Sequence, residues 1–310
     1  MRGPGHTKGS AAAQRGGSDR PEPASMPLNI REALRRGSRL LAGAGSEEAS
    51  LEAELLLAHA LNTDRTHLFQ RLRDHMAPDA QSAFDTLLQR RLDHEPTAYI
   101  LGRKEFYGLE FEVTPAAIIP RSETETLVEL VIGFVRTRSA GRKTLLADVG
   151  VGCGAIAVTL ASELSEAQVI ATDVSPDALA LARRNAERHG VAQRIRFLHG
   201  DLLEPLAAPI GVIAANLPYV RSGDFEAAPP EIREHEPRLG LDGGPKGLRL
   251  IERLLRDAPP RLKRGGALFA EVGEEQGEAA RKLAQQSFPQ ARIEVKRDLS
   301  GLDRVLVVST

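Results

Sequence analysis

The second half of the chain alternates between strand-like and helix-like segments, and this alternation restricts the fold more than any other feature. Apolar runs predict strands at 144–149, 168–173, 194–199, 210–215 and 266–272, with helical patterns between them, among them one over 248–262. Strands separated by helices form a parallel sheet with helices on both faces. Two last strands, 292–297 and 304–308, have only a turn between them and are expected to be antiparallel neighbours. The predicted fold class is therefore α/β, a doubly wound, mostly parallel seven-stranded sheet of the Rossmann type.

A segment of different character precedes the alternating part. Apolar residues such as Leu51, Leu55 and Leu56 recur at helical spacing, which predicts a helical bundle domain over residues 26–94. Ser46 is the expected N-cap of one of its helices. Its histidines lack the spacing of metal ligands, so no metal site is predicted.

Residues 95–122 are predicted to form a β-hairpin that links the two domains. Apolar side chains alternate there with charged residues and Gly on both sides of a turn near Gly108, a pattern typical of paired strands. The main domain is then expected over residues 123–310.

Charge separates the first 25 residues from the rest. They contain four basic and two acidic residues and are rich in Gly, Pro, Ala and Ser, which predicts a disordered tail over 1–25. The rest of the chain has 37 basic and 40 acidic residues. Stable nucleic-acid binding needs a basic surface and is not expected. No apolar run reaches the roughly 18 residues of a membrane span, so no membrane contact is expected. A single cysteine excludes an intramolecular disulfide framework and suits the reducing cytoplasm.

A glycine-rich turn follows the first strand of the alternating part, with the sequence Asp-Val-Gly-Val-Gly-Cys-Gly over residues 148–154. Ligands of doubly wound sheets bind beyond the carboxyl ends of the strands, where glycines permit close approach and positive φ. The predicted cofactor-binding residues of this turn are Gly150, Val151, Gly152, Cys153 and Gly154. The spacing differs from the dinucleotide fingerprint, and a merely tight strand–helix turn is the alternative. No neighbouring His or Lys activates the thiol of Cys153, so it is not expected to be catalytic.

Acidic residues follow the next two strands. Asp173 can accept hydrogen bonds from both hydroxyls of a ribose. Its alternative role is a helix N-cap, although Ser175 suits that role better because Pro176 follows it. Asp201 can meet an adenine amino group, with Leu202 against the ring.

The segment Asn216-Leu217-Pro218-Tyr219 directly follows the fourth strand. A planar amide or aromatic amine is a weak nucleophile because its nitrogen lone pair is delocalised. The side-chain oxygen of Asn216 and the backbone carbonyl of Leu217 can accept both N–H bonds of such a group, while Tyr219 can stack on its plane. We therefore predict a substrate site here, with Asn216 also against the cofactor. A loop turn with a packed tyrosine is the alternative.

These residues together resemble class I S-adenosylmethionine-dependent methyltransferases, and residues 216–219 are similar to the N-P-P-Y motif of enzymes that methylate amide or exocyclic amine nitrogens. Residues 119–125, with the sequence Ile-Pro-Arg-Ser-Glu-Thr-Glu, resemble the I-P-R-P-E-T-E segment of the release factor glutamine N5-methyltransferases (HemK/PrmC). Residues 95–109 resemble the linker of that family, and 236–244 resemble its loop after the catalytic motif. The chain departs from the pattern at two prolines, replaced here by Leu217 and Ser122.

The resemblance implies methylation of the side-chain amide nitrogen of the glutamine in the G-G-Q motif of class 1 peptide-chain release factors, with S-adenosyl-L-methionine as cofactor. It implies that the glycine turn accommodates the methionine part of the cofactor, Asp173 the ribose, and Asp201 with Leu202 the adenine. Asn216, Pro218 and Tyr219 would be the catalytic residues that hold the glutamine amide, and the helical domain would help to dock the release factor.

Three other functions remain open at this point. The segment Asn-Leu-Pro-Tyr also matches small-subunit rRNA adenine dimethyltransferases, which methylate adenine N6, but that family lacks the helical bundle and the segment at 119–125. A ribosomal protein could be the glutamine-bearing substrate instead of a release factor. A regulator that binds the cofactor without chemistry is the alternative from another class, and the intact segment at 216–219 argues against it.

Overall fold

A computed structural model describes residues 28–138 and 143–310; the tail predicted for residues 1–25 lies outside the described residues. The first part is helical, as expected. Its helices are α1 (Ile30–Gly43), α2 (Ala49–Ala60), α3 (Arg65–Gln70), α4 (Pro78–Leu92) and α5 (Thr97–Leu101). They bury a shared apolar cluster that includes Leu56, Leu57, Phe84 and Leu88.

Local side-chain chemistry explains where α1 begins, and it corrects one expectation about α2. Asn29 and Glu32 form a reciprocal capping box at the start of α1. Ser46 is not the N-cap of α2, because that helix begins after Glu48 and has no side-chain cap. The hydroxyl of Ser46 instead donates to the Glu52 carboxylate at 2.7 Å.

The predicted hairpin is present but shorter than expected. Strands β1 (Arg103–Phe106) and β2 (Leu109–Glu112) pair antiparallel. Tyr107 and Gly108 make the turn, both with positive φ. The expectation of extended structure over 97–101 is wrong: this stretch is α5, which follows Pro96 and ends at Gly102 in the left-handed region.

The seven-stranded sheet confirms the predicted fold class. Its strands are β3 (Thr144–Val149), β4 (Ala167–Asp173), β5 (Ile195–His199), β6 (Ile210–Ala215), β7 (Leu262–Glu271), β8 (Arg292–Arg297) and β9 (Asp303–Ser309). Their order is β5-β4-β3-β6-β7-β9-β8. Strands β3 to β7 are parallel to one another, while β9 is antiparallel to both β7 and β8.

Helices cover both faces of this sheet. The helices of this part are α6 (Glu125–Arg138), α7 (Ala155–Glu163), α8 (Pro176–Arg188), α9 (Ser222–Glu226), α10 (Pro230–His235), α11 (Arg249–Asp257) and α12 (Gly277–Ser287), and all except the short α9 and α10 contribute to the apolar clusters on the two faces. The helix predicted over 248–262 is too long, because Pro259 and Pro260 form a 3-10 turn before β7. No helix of the described residues is long and apolar enough to cross a membrane.

The strand order places the site. The chain leaves β3 toward β4 and β5 on one side, and continues from β6 to β7 on the other. A crevice therefore opens between the carboxyl ends of β3 and β6, where doubly wound sheets bind their ligands.

Candidate functional site

A cavity of about 790 Å³ lies at the carboxyl ends of β3, β4 and β6. The predicted site residues on its wall are Gly150, Gly152, Asp173, Asp201, Leu202, Asn216, Leu217 and Pro218. Two groups of residues lie on or behind its wall. We call the ends of β3 and β4, with Asp148, Gly150, Gly152 and Asp173, the glycine side. We call the ends of β6 and β7, with Asn216, Tyr219, Glu271 and the adjoining Thr124, the amide side.

The turn of the glycine side is held by backbone hydrogen bonds. The N–H groups of Gly150 and Val151 both donate to the carbonyl of Thr172, at 2.8 and 2.9 Å. Gly150 has φ +79°, and a Cβ built on it would lie 2.9 Å from Cδ2 of Leu217. A side chain at this position would therefore strain the backbone and force the buried side chain of Leu217 to shift.

Three of the five predicted turn residues lie behind the cavity wall. Val151, Cys153 and Gly154 are buried and do not line the cavity. Gly154 begins α7, and a Cβ there would lie 3.1 Å from Cα of Ala182 on α8, so this glycine permits close helix packing. Burial raises the pKa of the Cys153 thiol to about 12, which agrees with a non-catalytic cysteine.

Asp148 supports the same turn from inside. Its side chain is fully buried, and Oδ2 accepts from the N–H of Ala157 in the first turn of α7 at 2.9 Å. Oδ1 has no hydrogen-bond partner among the described residues. Burial raises the pKa of this carboxyl to about 7, and the nearby carboxylate of Asp173 adds to the rise.

Asp173 joins the turn to the cavity. Its carboxylate accepts from the N–H of Gly152 at 3.0 Å and from the N–H of Ser175 at 2.9 Å. The hydroxyl of Ser175 accepts from the N–H of Ala178, so the N-cap of α8 is Ser175, as expected, and not Asp173. Because each carboxylate oxygen can accept more than one hydrogen bond, Asp173 keeps acceptor capacity toward the cavity.

The end of β5 contributes Asp201 and Leu202. Oδ2 of Asp201 pairs with the guanidinium of Arg253 on α11 at 2.7 Å, which sequence reasoning did not identify. Leu202 has φ +47°, and its carbonyl accepts from the hydroxyl of Thr172 at 3.0 Å. The hydrogen bond helps to hold Leu202 in this strained backbone conformation, and so fixes its position on the cavity wall.

Strand register brings the amide side together. Ala215 pairs with Ala270, so Asn216 and Glu271 occupy adjacent positions just past that pair on neighbouring strands. Thr124, immediately before α6, meets them there. Nδ2 of Asn216 donates to Oγ1 of Thr124 at 3.0 Å.

Tyr219 is held at its hydroxyl end. The hydroxyl donates to Oε1 of Glu271 at 3.0 Å, and the residue is not among those that line the cavity. Burial and the neighbouring Glu271 carboxylate raise the pKa of this phenol. The hydroxyl is therefore anchored to β7, and stacking of the ring on a substrate amide stays a prediction.

Residues next to and within the family-like segments meet at the cavity. Residues 115–118, just before the segment 119–125, and residues 237–240, within the segment 236–244, both line it, and a Cβ on Gly240 would lie 2.7 Å from Cγ2 of Ile118. The buried carboxylate of Glu236 holds them together, since it accepts from the N–H of Ile119 at 3.1 Å and pairs with Arg121.

Sequence reasoning did not single out Thr124, Glu236 or Glu271 as site residues. The first two lie inside the family-like segments, which was the available signal. Glu271 stands where a parallel strand of the sheet ends, a position that is itself informative in this fold. Within 28–138 and 143–310, no three or more His, Cys, Asp or Glu side chains are grouped to hold a metal ion.

Two family models match the chain. The PrmC N-terminal domain matches residues 32–102, and a methyltransferase domain matches residues 146–235. The chain is 40% identical over 278 residues to the release factor glutamine methyltransferase of Moorella thermoacetica, covering 89% of this chain and 97% of that protein. It is 41% identical over 279 residues to the enzyme of the same name from Geobacter sulfurreducens, covering 89% and 95%.

A solved structure of much lower sequence identity supports the fold. The hMettl16 catalytic domain in complex with MAT2A 3'UTR hairpin 6 superposes with a TM-score of 0.51 at 17% identity, covering 75% of this chain and 81% of that one. At this identity the likeness establishes the fold alone.

Proposed function

The chain belongs to the release factor glutamine methyltransferase family, and on this premise we propose that it methylates the side-chain amide nitrogen of the glutamine in the G-G-Q motif of class 1 release factors. The observation that carries the proposal is the position of Asn216. It stands on the cavity wall at the end of β6, and its Nδ2 is engaged by Thr124. Its Oδ1 is therefore the end of the side chain that can accept an N–H from a substrate amide.

The cavity fits S-adenosyl-L-methionine as the cofactor. Its volume of about 790 Å³ lies within the roughly 300–1,000 Å³ typical of small-molecule sites. We assign the ribose hydroxyls to Asp173, whose carboxylate retains acceptor capacity, and the adenine to Asp201 and Leu202. Gly150 and Gly152 present backbone to the methionine part, while Val151, Cys153 and Gly154 support the turn from behind.

The residues of the amide side orient the nucleophile. Oδ1 of Asn216 and the carbonyl of Leu217 accept the two N–H bonds of the glutamine amide, and Pro218 restricts the loop between them. When bound, the cofactor supplies an electrophilic methyl group on its sulfonium. The two acceptors aim the amide nitrogen at this group and stabilise the positive charge that develops on the nitrogen. The nitrogen becomes acidic as it is methylated and loses its proton to water, so no general base is required early.

The helical domain is assigned to docking of the release factor. Arg91 of α4 pairs with Glu231 of α10 at 2.7 Å, and the side chain of Arg91 is only 9% exposed. This ion pair, buried at Arg91 and exposed at Glu231, joins the helical domain to the segment that follows the amide side. A protein substrate that contacts both could present its glutamine to the cavity. On the same premise we place the enzyme in the cytoplasm, where release factors act.

Methyl transfer from radiolabelled cofactor tests the proposal. Purified protein is offered a class 1 release factor, the same factor with its G-G-Q glutamine changed to alanine, a glutamine-bearing ribosomal protein, and small-subunit rRNA. Label on the unchanged release factor alone is the expected result. Label on the ribosomal protein or the rRNA, with none on the release factor, would replace this function with one of the alternatives. No transfer to any substrate despite cofactor binding would favour a cofactor-binding regulator.

A further inference from the structure

Two buried side chains behind the cavity wall are unexplained by the proposed function. Thr124 is 3% exposed and Glu271 is 1% exposed, and neither lines the cavity. They come from different elements, the turn before α6 and the end of β7. Each contacts one end of the segment at 216–219: Thr124 accepts from Asn216, and Glu271 accepts from Tyr219.

Glu271 is an incompletely satisfied buried acid. Oε1 accepts from Tyr219, while Oε2 has no hydrogen-bond partner among the described residues. Burial raises the pKa of this carboxyl, whereas the hydroxyls of Thr124 and Tyr219 and the charge of Arg304 act in the opposite sense. Leaving a buried carboxylate oxygen unpaired is costly, which points to a role other than stability.

The chemistry of the threonine hydroxyl links the two side chains. A hydroxyl donates one proton and accepts through two lone pairs. In Thr124 a lone pair faces Nδ2 of Asn216, which leaves the hydroxyl proton free to turn toward the unpaired Oε2 of the neighbouring Glu271. When Glu271 is ionised it can only accept, so it favours the Thr124 proton turned away from Asn216. If the Asn216 amide were flipped, its Oδ1 would face a lone pair instead of a donor.

We propose that Thr124 and Glu271 are positioning residues that fix the orientation of the Asn216 amide, so that Oδ1 rather than Nδ2 faces the substrate. The inference rests on the proposed function, because orientation of Asn216 matters only if this side chain accepts an N–H of the substrate. Glu271 also holds Tyr219, so a single buried carboxylate sets both ends of the substrate segment.

Substitutions at Thr124 separate positioning from packing. Thr124→Val keeps the shape and removes the hydroxyl, while Thr124→Ser keeps the hydroxyl and removes a methyl group. We expect Thr124→Val to lower kcat for release factor methylation by roughly 10- to 100-fold, since a small misorientation at a reacting group can cost about 100-fold. KM and cofactor affinity should stay within a few-fold, and Thr124→Ser should retain most of the wild-type kcat.

Thr159 of α7 provides the matched control. It is fully buried, its hydroxyl has no partner among the described residues, and it does not line the cavity. Thr159→Val therefore makes the same chemical change at a comparably buried position and should leave kcat unchanged. A wild-type kcat for Thr124→Val, or an equal loss for Thr124→Ser, would overturn the proposal.

Glu271→Gln tests the other member of the pair with a substitution of equal size. The amide can donate to Thr124 and so reverse its hydroxyl. We expect a loss of kcat similar to that of Thr124→Val, and a double variant no worse than either single variant, as is usual for residues that act as one unit. Losses that multiply in the double variant would contradict the proposal.

A spectroscopic measurement makes the inference independent of the substrate. The chain has four asparagines, so selective ¹⁵N-asparagine labelling gives four side-chain amides. The Nδ2 protons of Asn216 should exchange slowly in the wild type and in Thr124→Ser, and fast in Thr124→Val. Asn185, whose Nδ2 donates to the carbonyls of Glu112 and Cys153, is an internal reference. Unchanged exchange at Asn216 in Thr124→Val would overturn the proposal, whereas an inactive wild type with the expected exchange pattern would overturn only the release factor assignment.

Discussion

The glycine side and the amide side of the cavity differ in the chemical groups that form them. On the glycine side, backbone N–H groups and glycines form the wall, and carboxylates brace the loop: Asp148 holds the first turn of α7, and Asp173 holds Gly152. On the amide side, the side chain of Asn216 lies on the wall, and other side chains hold this segment. Asn216 is hydrogen-bonded to Thr124, and Tyr219 is hydrogen-bonded to Glu271.

The difference follows from what each side is proposed to do. A cofactor with a large, invariant surface can be held by backbone and shape, because many contacts share the binding energy. A single amide group must be oriented by few hydrogen bonds, and each acceptor must be fixed. We therefore expect cofactor affinity to fall when a side chain is enlarged on the glycine side. We expect the rate of methyl transfer to fall when a functional group is replaced on the amide side, even if the size of the side chain is kept.

Asn216→Ala gives the largest expected effect and tests whether the two sides are separable. It removes the acceptor for the substrate amide and leaves the glycine side intact, so methyl transfer should be abolished while cofactor affinity stays within a few-fold. Radiolabel transfer and calorimetric titration with S-adenosylmethionine measure the two quantities. A near wild-type rate for purified Asn216→Ala would refute the assigned role.

Gly150→Ala should act mainly on cofactor affinity, because Gly150 lies in the cofactor turn and packs close to Leu217 of the substrate segment. The left-handed backbone costs an alanine about 1 kcal/mol, and its Cβ would lie 2.9 Å from Leu217. We expect cofactor affinity to fall by roughly tenfold or more, which corresponds to about 1.4 kcal/mol or more.

Gly190→Ala controls for the backbone strain alone. Gly190 also has a positive φ, +69°, but a Cβ there meets nothing within 4 Å and the residue does not line the cavity. This variant should be mildly less stable and should bind cofactor normally. Equal loss of affinity in both variants would mean that loop strain, not contact between the two sides, explains the effect of Gly150→Ala.

Asp148→Asn tests the bracing carboxylate through pH. The folded-state pKa of Asp148 is about 7 against an ordinary value of 3.8. A raised carboxyl pKa means that the protonated form stabilises the fold below pH 4, and this stabilisation is lost as the pH rises toward and through 7. Relative to Asp148→Asn, the wild type should lose on the order of 4 kcal/mol of unfolding free energy across this window. Urea unfolding of both proteins between pH 4 and pH 8 measures the difference, and a pH-independent difference would contradict the raised pKa.

Cys153 should give the smallest effect. Its thiol is buried and stays protonated at neutral pH because burial raises its pKa to about 12. Iodoacetamide should therefore leave the native protein unmodified and add a single group after unfolding, as intact mass shows. Cys153→Ala should methylate within about twofold of the wild-type rate, since the thiol does not line the cavity and stays protonated at neutral pH. Rapid alkylation of the native protein with loss of activity would place a reactive thiol on the glycine side.

Local patterns predicted the architecture well and the details of contact poorly. The strand–helix alternation predicted the sheet because apolar periodicity is a local property, and the two last strands were antiparallel because their connection is too short for a crossover. The hairpin was predicted around Gly108, whereas α5 was missed because apolar residues over 97–101 fit an extended or a helical pattern until Gly102 ends the helix.

The direction of side chains could not be predicted from neighbours along the chain. The hydroxyl of Tyr219 bonds to a residue 52 positions away, a partner that the residues around Tyr219 do not indicate. The partner of Asn216 lies 92 positions away. These contacts depend on the register between β6 and β7 and on where α6 begins, and no local pattern encodes either.

The sequence by itself determined the α/β class, the strand edge at which the site lies, and the residues that end those strands. It did so because hydrophobic periodicity and glycine positions act over a few residues. Only the tertiary structure decided that Val151, Cys153 and Gly154 support the turn from behind, that Asp148 is buried with a raised pKa, and that Thr124 and Glu271 stand behind Asn216. Burial and hydrogen-bond partners are properties of chain segments brought together from far apart, so they exist only once the sheet has formed.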